Sequence, residues 1–205
     1  MENTKMHSPV APMLWPALFE ATVYDPNNPA AKPDPANNVF GHYQTDLVLN
    51  PAIEEHKLFL EKLDAACEQA MDESGLSGMR KPVPYSKRDD LDENKNPTGA
   101  YRVRFKVPAG GVSRRTGSTW ERSVPMFNAN GELFELEGEV ANGSKGRVSF
   151  EVRPYATGGV VGCSLRLAAV QFLHLEVRRP KGADADDFSG LALSDDMGAP
   201  SGAEF

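Results

Sequence analysis

The chain has 205 residues, 40% of them hydrophobic, which suffices for one good core with appendages but not for two full domains. It holds no run of eighteen apolar residues and does not open on a charged-then-apolar stretch, so neither a membrane span nor a secretory leader is expected. The formal net charge of -7 divides unevenly: residues 1–96 hold 9 basic and 16 acidic groups, residues 97–182 hold 13 and 7, and residues 183–205 hold six acids and no base. A basic middle beside an acidic end points to an anionic partner that the end can imitate.

Residues 1–16 are polar and contain prolines, and they read as an N-terminal arm with Trp15 its first large anchor. Ala17–Tyr24 is rich in β-formers and reads as the first strand. Pro26, Pro29, Pro33 and Pro35, among asparagines, make 25–38 a long surface loop. Val39–Leu49 follows as a strand, with Tyr43, Thr45, Leu47 and Leu49 on one face and His42, Gln44, Asp46 and Val48 on the other.

At Asn50-Pro51 the period changes. Asn suits a helix N-cap and Pro a first turn, and Ile53, Leu60, Leu63, Cys67, Ala70 and Met71 then recur at helical spacing up to Gly75. His56 falls on the apolar edge of this helix, where a packed histidine is expected rather than a ligand. Cys67 and Cys163 lack metal-ligand spacing and make no disulfide framework, which suits a reducing cytosol. Residues 76–99 are irregular and charged, and their acidic cluster lacks the glycine and spacing of a calcium loop, so a solvated loop is expected.

Period two then returns. Tyr101, Val103, Phe105 and Val107 alternate with Arg102, Arg104 and Lys106, which puts three cations on the outer face of one strand. A Gly-rich loop with Arg114 and Arg115 leads to a strand over 120–127 carrying Trp120 and Arg122 on one parity. Asn128-Ala129-Asn130-Gly131 turns the chain, and 132–140 reads as the returning strand. From Arg147 to Tyr155, Val148, Phe150 and Val152 point inward while Arg147, Ser149, Glu151, Arg153 and Tyr155 point outward. Gly158-Gly159 forms a hairpin turn, 162–177 makes a long apolar last strand, and the composition of 183–205 predicts disorder. Basic and aromatic groups repeated over several strands suit an electrostatic groove with stacking platforms. Charged edge protection in a β-rich structural or assembly protein is the rival reading. No Walker loop, Gly-x-Ser-x-Gly or metal-spaced His/Cys pattern supports an enzyme, a cofactor or a metal site.

Several short strands, one helix after the second strand and Gly-rich turns suggest a mainly β, OB-type barrel over residues 1–182. The sequence also resembles the single-stranded-DNA-binding proteins that short-tailed bacteriophages encode for replication. The resemblance runs through Gly41–Leu47, Lys81–Tyr85, Arg104–Lys106, Gly143–Lys145, Val148–Tyr155 and Gly162–Gln171 to an acidic tail ending in Phe205. It implies an OB-fold homodimer, without catalytic activity, that binds single-stranded DNA irrespective of sequence in the cytoplasm of an infected bacterium. It also implies a tail that docks on the phage DNA polymerase and primase-helicase and competes with DNA for the basic groove. Arg104 and Lys106 correspond to the family's basic strand and Tyr155 to its stacking tyrosine. Ser149 and Phe40 stand where relatives can carry a basic residue, which redistributes phosphate contacts toward Arg102, Arg122 or Arg153. The expected DNA-binding set is Arg102, Arg104, Lys106, Trp120, Arg122, Arg147, Arg153 and Tyr155. The expected partner-binding tail set is Asp186, Asp187, Phe188, Asp195, Asp196, Glu204 and Phe205.

Overall fold

The computed structural model describes residues 5–25, 28, 31–136 and 138–177. In chain order the elements are β1 (Lys5–His7), β2 (Ala11–Thr22), a 3-10 turn (Pro35–Asn37), β3 (His42–Leu49), α1 (Glu54–Glu73), β4 (Met79–Arg80), β5 (Lys87–Leu91), β6 (Pro97–Pro108), β7 (Gly110–Val112), β8 (Thr119–Glu121), β9 (Met126–Phe127), β10 (Lys145–Thr157) and β11 (Val160–His174).

Five of the strands close on themselves. β2 pairs with β3, and β3 with β6, both antiparallel. β6 meets β11 in parallel through Lys106 and Arg166, and β11 runs antiparallel to β10 for nearly its whole length. β10 returns to β2 through Lys145–Pro12 and Gly146–Ala11. Counting only these five strands in chain order, the circuit is 1-2-3-5-4-1, with the third and fifth parallel. A two-residue turn at Gly158 (φ 59°) and Gly159 (φ 76°) joins Thr157 to Val160, and two successive left-handed positions are what glycine permits there.

Inward parity fills the barrel as the alternation predicts. Met13, Leu47, Leu49, Val103, Phe105, Val107, Val148, Phe150 and Val170 are all fully buried. Phe150 sits between two rings, edge-on to Phe105 at 4.8 Å and to Phe59 of α1 at 6.1 Å. Where β10 passes between β2 and β11, Gly146 leaves no room for a side chain. A Cβ there would lie 2.3 Å from the Gln171 carbonyl oxygen and 2.7 Å from the Met13 methyl.

The helix covers the barrel with His56, Phe59, Leu60, Leu63, Cys67 and Met71. Ile53, expected on that face, is instead exposed and occupies the N-cap. The Asn50 side chain accepts from the Ala52 N–H at 2.9 Å, capping the turn before the helix rather than the helix itself. His56 is packed and satisfied: Nδ1 accepts from the Asn50 N–H, which leaves Nε2–H to donate to the Val10 carbonyl, both at 3.0 Å.

Four expectations about strands and loops also change. Within the expected arm of residues 1–16, β1 pairs with β10, β2 begins at Ala11 rather than Ala17, and Ala11 and Met13 are core. Pro16 misleads because it falls in a bulge between Leu14 and Ala17, where the ladder is already interrupted. Residues 76–99 are not all loop, since β4 pairs with β11 and β5 forms a hairpin with β6. The Asp92 carboxylate closes that hairpin by accepting the N–H groups of Asn94 and Asn96, both at 2.8 Å. β5 escaped detection because it lies outside the barrel and has no buried face to impose alternation. The strand expected over 120–127 is two short pieces, β8 and β9, with Pro125 between them. The strand expected over 132–140 reduces to isolated bridges, Leu133 with Phe127 and Val140 with Val177.

Phe150 joins barrel and helix, so Phe150→Ala should cost about 3–5 kcal/mol of stability, the usual loss for a buried aromatic. Urea unfolding checks this, and a loss below about 1 kcal/mol would contradict the packing described.

Candidate nucleic-acid interface

The barrel's outer face sorts its cations by whether a carboxylate already holds them. Arg104 on β6 makes a two-pronged pair with buried Asp46 on β3, Nε to Oδ1 at 2.7 Å and Nη2 to Oδ2 at 3.0 Å. That pairing raises the guanidinium's pKa above its ordinary value. Arg102 donates from Nε to Asp90 Oδ1 at 2.5 Å and from Nη2 to the Leu91 carbonyl at 3.1 Å. Lys106, on the same face, is exposed and makes no ion pair among the described residues. Arg102 and Arg104 therefore add little net positive field, and Lys106 adds a full charge.

Lys106 stands at the one ladder pairing between β6 and β11 among the described residues, directly opposite Arg166. Arg166 lines a cleft of about 360 Å³ with Arg122, Arg153 and Glu151. Arg153 reaches Glu151 Oε2 from Nε at 3.0 Å and from Nη2 at 2.6 Å. Arg122 and Arg166 have no ion pair among the described residues. Partial burial, then the charges of Arg122 and Arg153, lower the pKa of Arg166. Three guanidinium groups thus face one cleft with a single carboxylate among them, which leaves room for an added anion.

Aromatic rings flank the cleft. Trp120, two residues before Arg122 and partly exposed, carries that guanidinium 5.3 Å from its ring. Tyr155, two residues beyond Arg153 on the same face of β10, accepts from Lys81 Nζ at 2.7 Å, and the ammonium lies 5.3 Å from its ring. Arg147 lies apart, six residues and about 20 Å along the strand from Arg153. It donates to Gln171 Oε1 at 2.7 Å and lines a second cleft with Lys5 and His7.

The structure thus brings Lys106, Trp120, Arg122, Arg153 and Tyr155 around one site, holds Arg102 and Arg104 in ion pairs further along β6, and sets Arg147 elsewhere. Arg166 and Lys81 adjoin the site although the expected DNA-binding set included neither. For Arg166 a signal existed, since it is the lone charge between Leu165 and Leu167 in an apolar strand. The tail set, Asp186, Asp187, Phe188, Asp195, Asp196, Glu204 and Phe205, lies outside the described residues. No group of three or more His, Cys, Asp or Glu side chains among the described residues has the arrangement of a metal site. No helix among them is long and apolar enough to cross a membrane.

A five-stranded circuit of this order, mainly β with a single α-helix among the described residues, defines an OB-type barrel. Among solved structures it is similar to those of phage single-stranded-DNA-binding proteins. The gp2.5 protein of bacteriophage T7 matches with a TM-score of 0.61 at 19% identity, over 90% of this chain and 99% of that one. The single-stranded-DNA-binding protein of bacteriophage Enc34, solved in complex with ssDNA, matches with a TM-score of 0.54 at 12% identity, over 87% and 89%. Its C-terminally truncated form gives a TM-score of 0.54 at 11% identity, over 85% and 88%. No protein-family model and no curated protein sequence matches the chain.

His42 reports on this face. Burial first, and then the Lys106 ammonium, hold its imidazole below the ordinary histidine pKa. Lys106→Ala should therefore raise the His42 pKa without restoring it fully, because the burial remains. A phosphate bound at Lys106 should also raise it. Histidine NMR titration checks both signs, and an unchanged His42 in the Lys106→Ala protein would contradict the arrangement.

Proposed function

We propose that the chain is a non-catalytic protein that binds single-stranded DNA without sequence preference in phage DNA replication and recombination, in the cytoplasm of the infected bacterium. The observation that carries this reading is the convergence of Arg122, Arg153 and Arg166 on one cleft, with Lys106 beside it and Trp120 and Tyr155 flanking it. The likeness in fold to the T7 and Enc34 proteins supports it. Cations grip a backbone that every sequence shares, and aromatic rings stack any base, since every base has a π-face. A duplex keeps its bases stacked and unavailable to such rings, so the single strand is preferred.

The acidic 183–205 segment competes with DNA for the cleft and recruits the phage polymerase and primase-helicase, with Phe188 and Phe205 as apolar anchors among its carboxylates. The working form is a homodimer. These assignments rest on sequence resemblance and on the chain's charge asymmetry.

Fluorescence anisotropy with labelled oligo-dT, matched duplex and single-stranded RNA over a salt series tests the reading. Lys106, Arg122 and Arg166 alone give a slope of about -2 in log K against log salt for single-stranded DNA, and release of Arg153 from Glu151 takes it to about -3. Arg166→Ala should flatten the slope by about 0.7. Tyr155→Ala should weaken binding by roughly 1–3 kcal/mol at nearly constant slope. Absence of binding to every nucleic acid would return the chain to the structural-protein reading.

Ending the chain at Gly182 should tighten oligo-dT binding and abolish capture of the polymerase or helicase. Unchanged affinity would remove the competition role, and retained capture would remove the recruiting role.

A further inference from the structure

Trp15 is held in a costly conformation that its packing does not explain. Its φ is 45°, in the left-handed region that a bulky residue rarely enters. It sits in the bulge of β2 between Leu14 and Ala17, and its N–H is fixed by Asn142 Oδ1 at 2.7 Å. Such strain is ordinarily offset by burial, yet the residue stays 49% exposed. Trp15 lines a cleft of about 430 Å³ together with Phe19, Pro33, Lys32, Glu20 and Glu139, and Phe19 is 44% exposed.

Against this ring lies Arg102, its guanidinium carbon 4.8 Å from the ring centroid. Asp90 and the Leu91 carbonyl fix that guanidinium. Arg102 is thereby committed to two partners and a ring, which suits a support better than a phosphate ligand. It also lies on the face of β6 that carries Arg104 and Lys106, and Lys106 adjoins the arginine cleft at Arg166. Lys106 and Arg102 are four residues apart, about 13 Å along the strand.

We propose that Trp15 is a second base-stacking platform, oriented by Arg102 and the Asn142 clamp, onto which an unstacked nucleobase of the same single strand docks after that strand leaves the arginine cleft along β6. This rests on the proposed single-stranded-DNA function and extends its footprint to a site that supplies stacking and little added charge.

The test uses the full chain labelled with 5-fluorotryptophan, whose two fluorine resonances are assigned with a Trp15→Phe variant. Oligo-dT should shift the Trp15 resonance. Trp15→Gly should then weaken oligo-dT binding roughly fivefold to a hundredfold with little change in salt slope. The melting temperature should hold or rise, because glycine accepts the positive φ. Trp15→Phe should recover most of the affinity. If oligo-dT binds and the Trp15 resonance stays fixed, or if Trp15→Gly lowers the melting temperature while leaving affinity intact, the platform is refuted and the arginine cleft stands. If oligo-dT does not bind the unaltered chain, the functional reading fails and the platform with it.

Discussion

Holding Arg122, Arg153 and Arg166 around one cleft sets like charges against each other; barrel closure keeps Arg153 of β10 and Arg166 of β11 there, and the Ala109 carbonyl holds the Arg122 N–H. The strands involved cannot drift apart, because β10 is fixed between β2 and β11 at Gly146, where a side chain would strike a main-chain oxygen. Closure also places Lys106 of β6 opposite Arg166 of β11 through their parallel ladder pairing. Partial burial first, and then the charges of Arg122 and Arg153, lower the pKa of Arg166 there. The core supplies rigidity, and the outer face carries a local charge imbalance that an added anion would offset.

Charge along the sequence is a poor measure of charge available at the surface. Arg102 and Arg104 look equivalent to Lys106 by alternation, yet Asp90 and Asp46 claim them, and Asp46 is buried beneath its partner. Those pairs brace β3, β5 and β6 against one another. Of the three cations on the outward face of β6, only Lys106 is left without an ion pair among the described residues.

What could be read in advance followed from burial. The barrel strands β3, β6, β10 and β11 and the helix were legible because each buries one face, and alternation or helical spacing records that directly. β5 buries neither face and pairs only at an edge, so its Lys-Arg-Asp-Asp pattern gave no period to read. β2 was half legible: its apolar positions Ala11 and Met13 are core, but Pro12 and Pro16 obscured a strand that tolerates them beside a bulge. For the site, Trp120, Arg122, Arg153 and Tyr155 were found as individual outward residues. The meeting of Lys106 with Arg166 was not, because it depends on the pairing of β6 with β11, two strands separated by more than fifty residues whose contact no local pattern encodes.

In the proposed function the arginine cleft grips the single strand. A crystal structure of the full chain with oligo-dT tests it most directly. A backbone phosphate is expected within hydrogen-bond distance of at least two of Arg122, Arg153 and Arg166, with a base against Tyr155 or Trp120. Oligo-dT seated on another face, with the cleft empty, would contradict it.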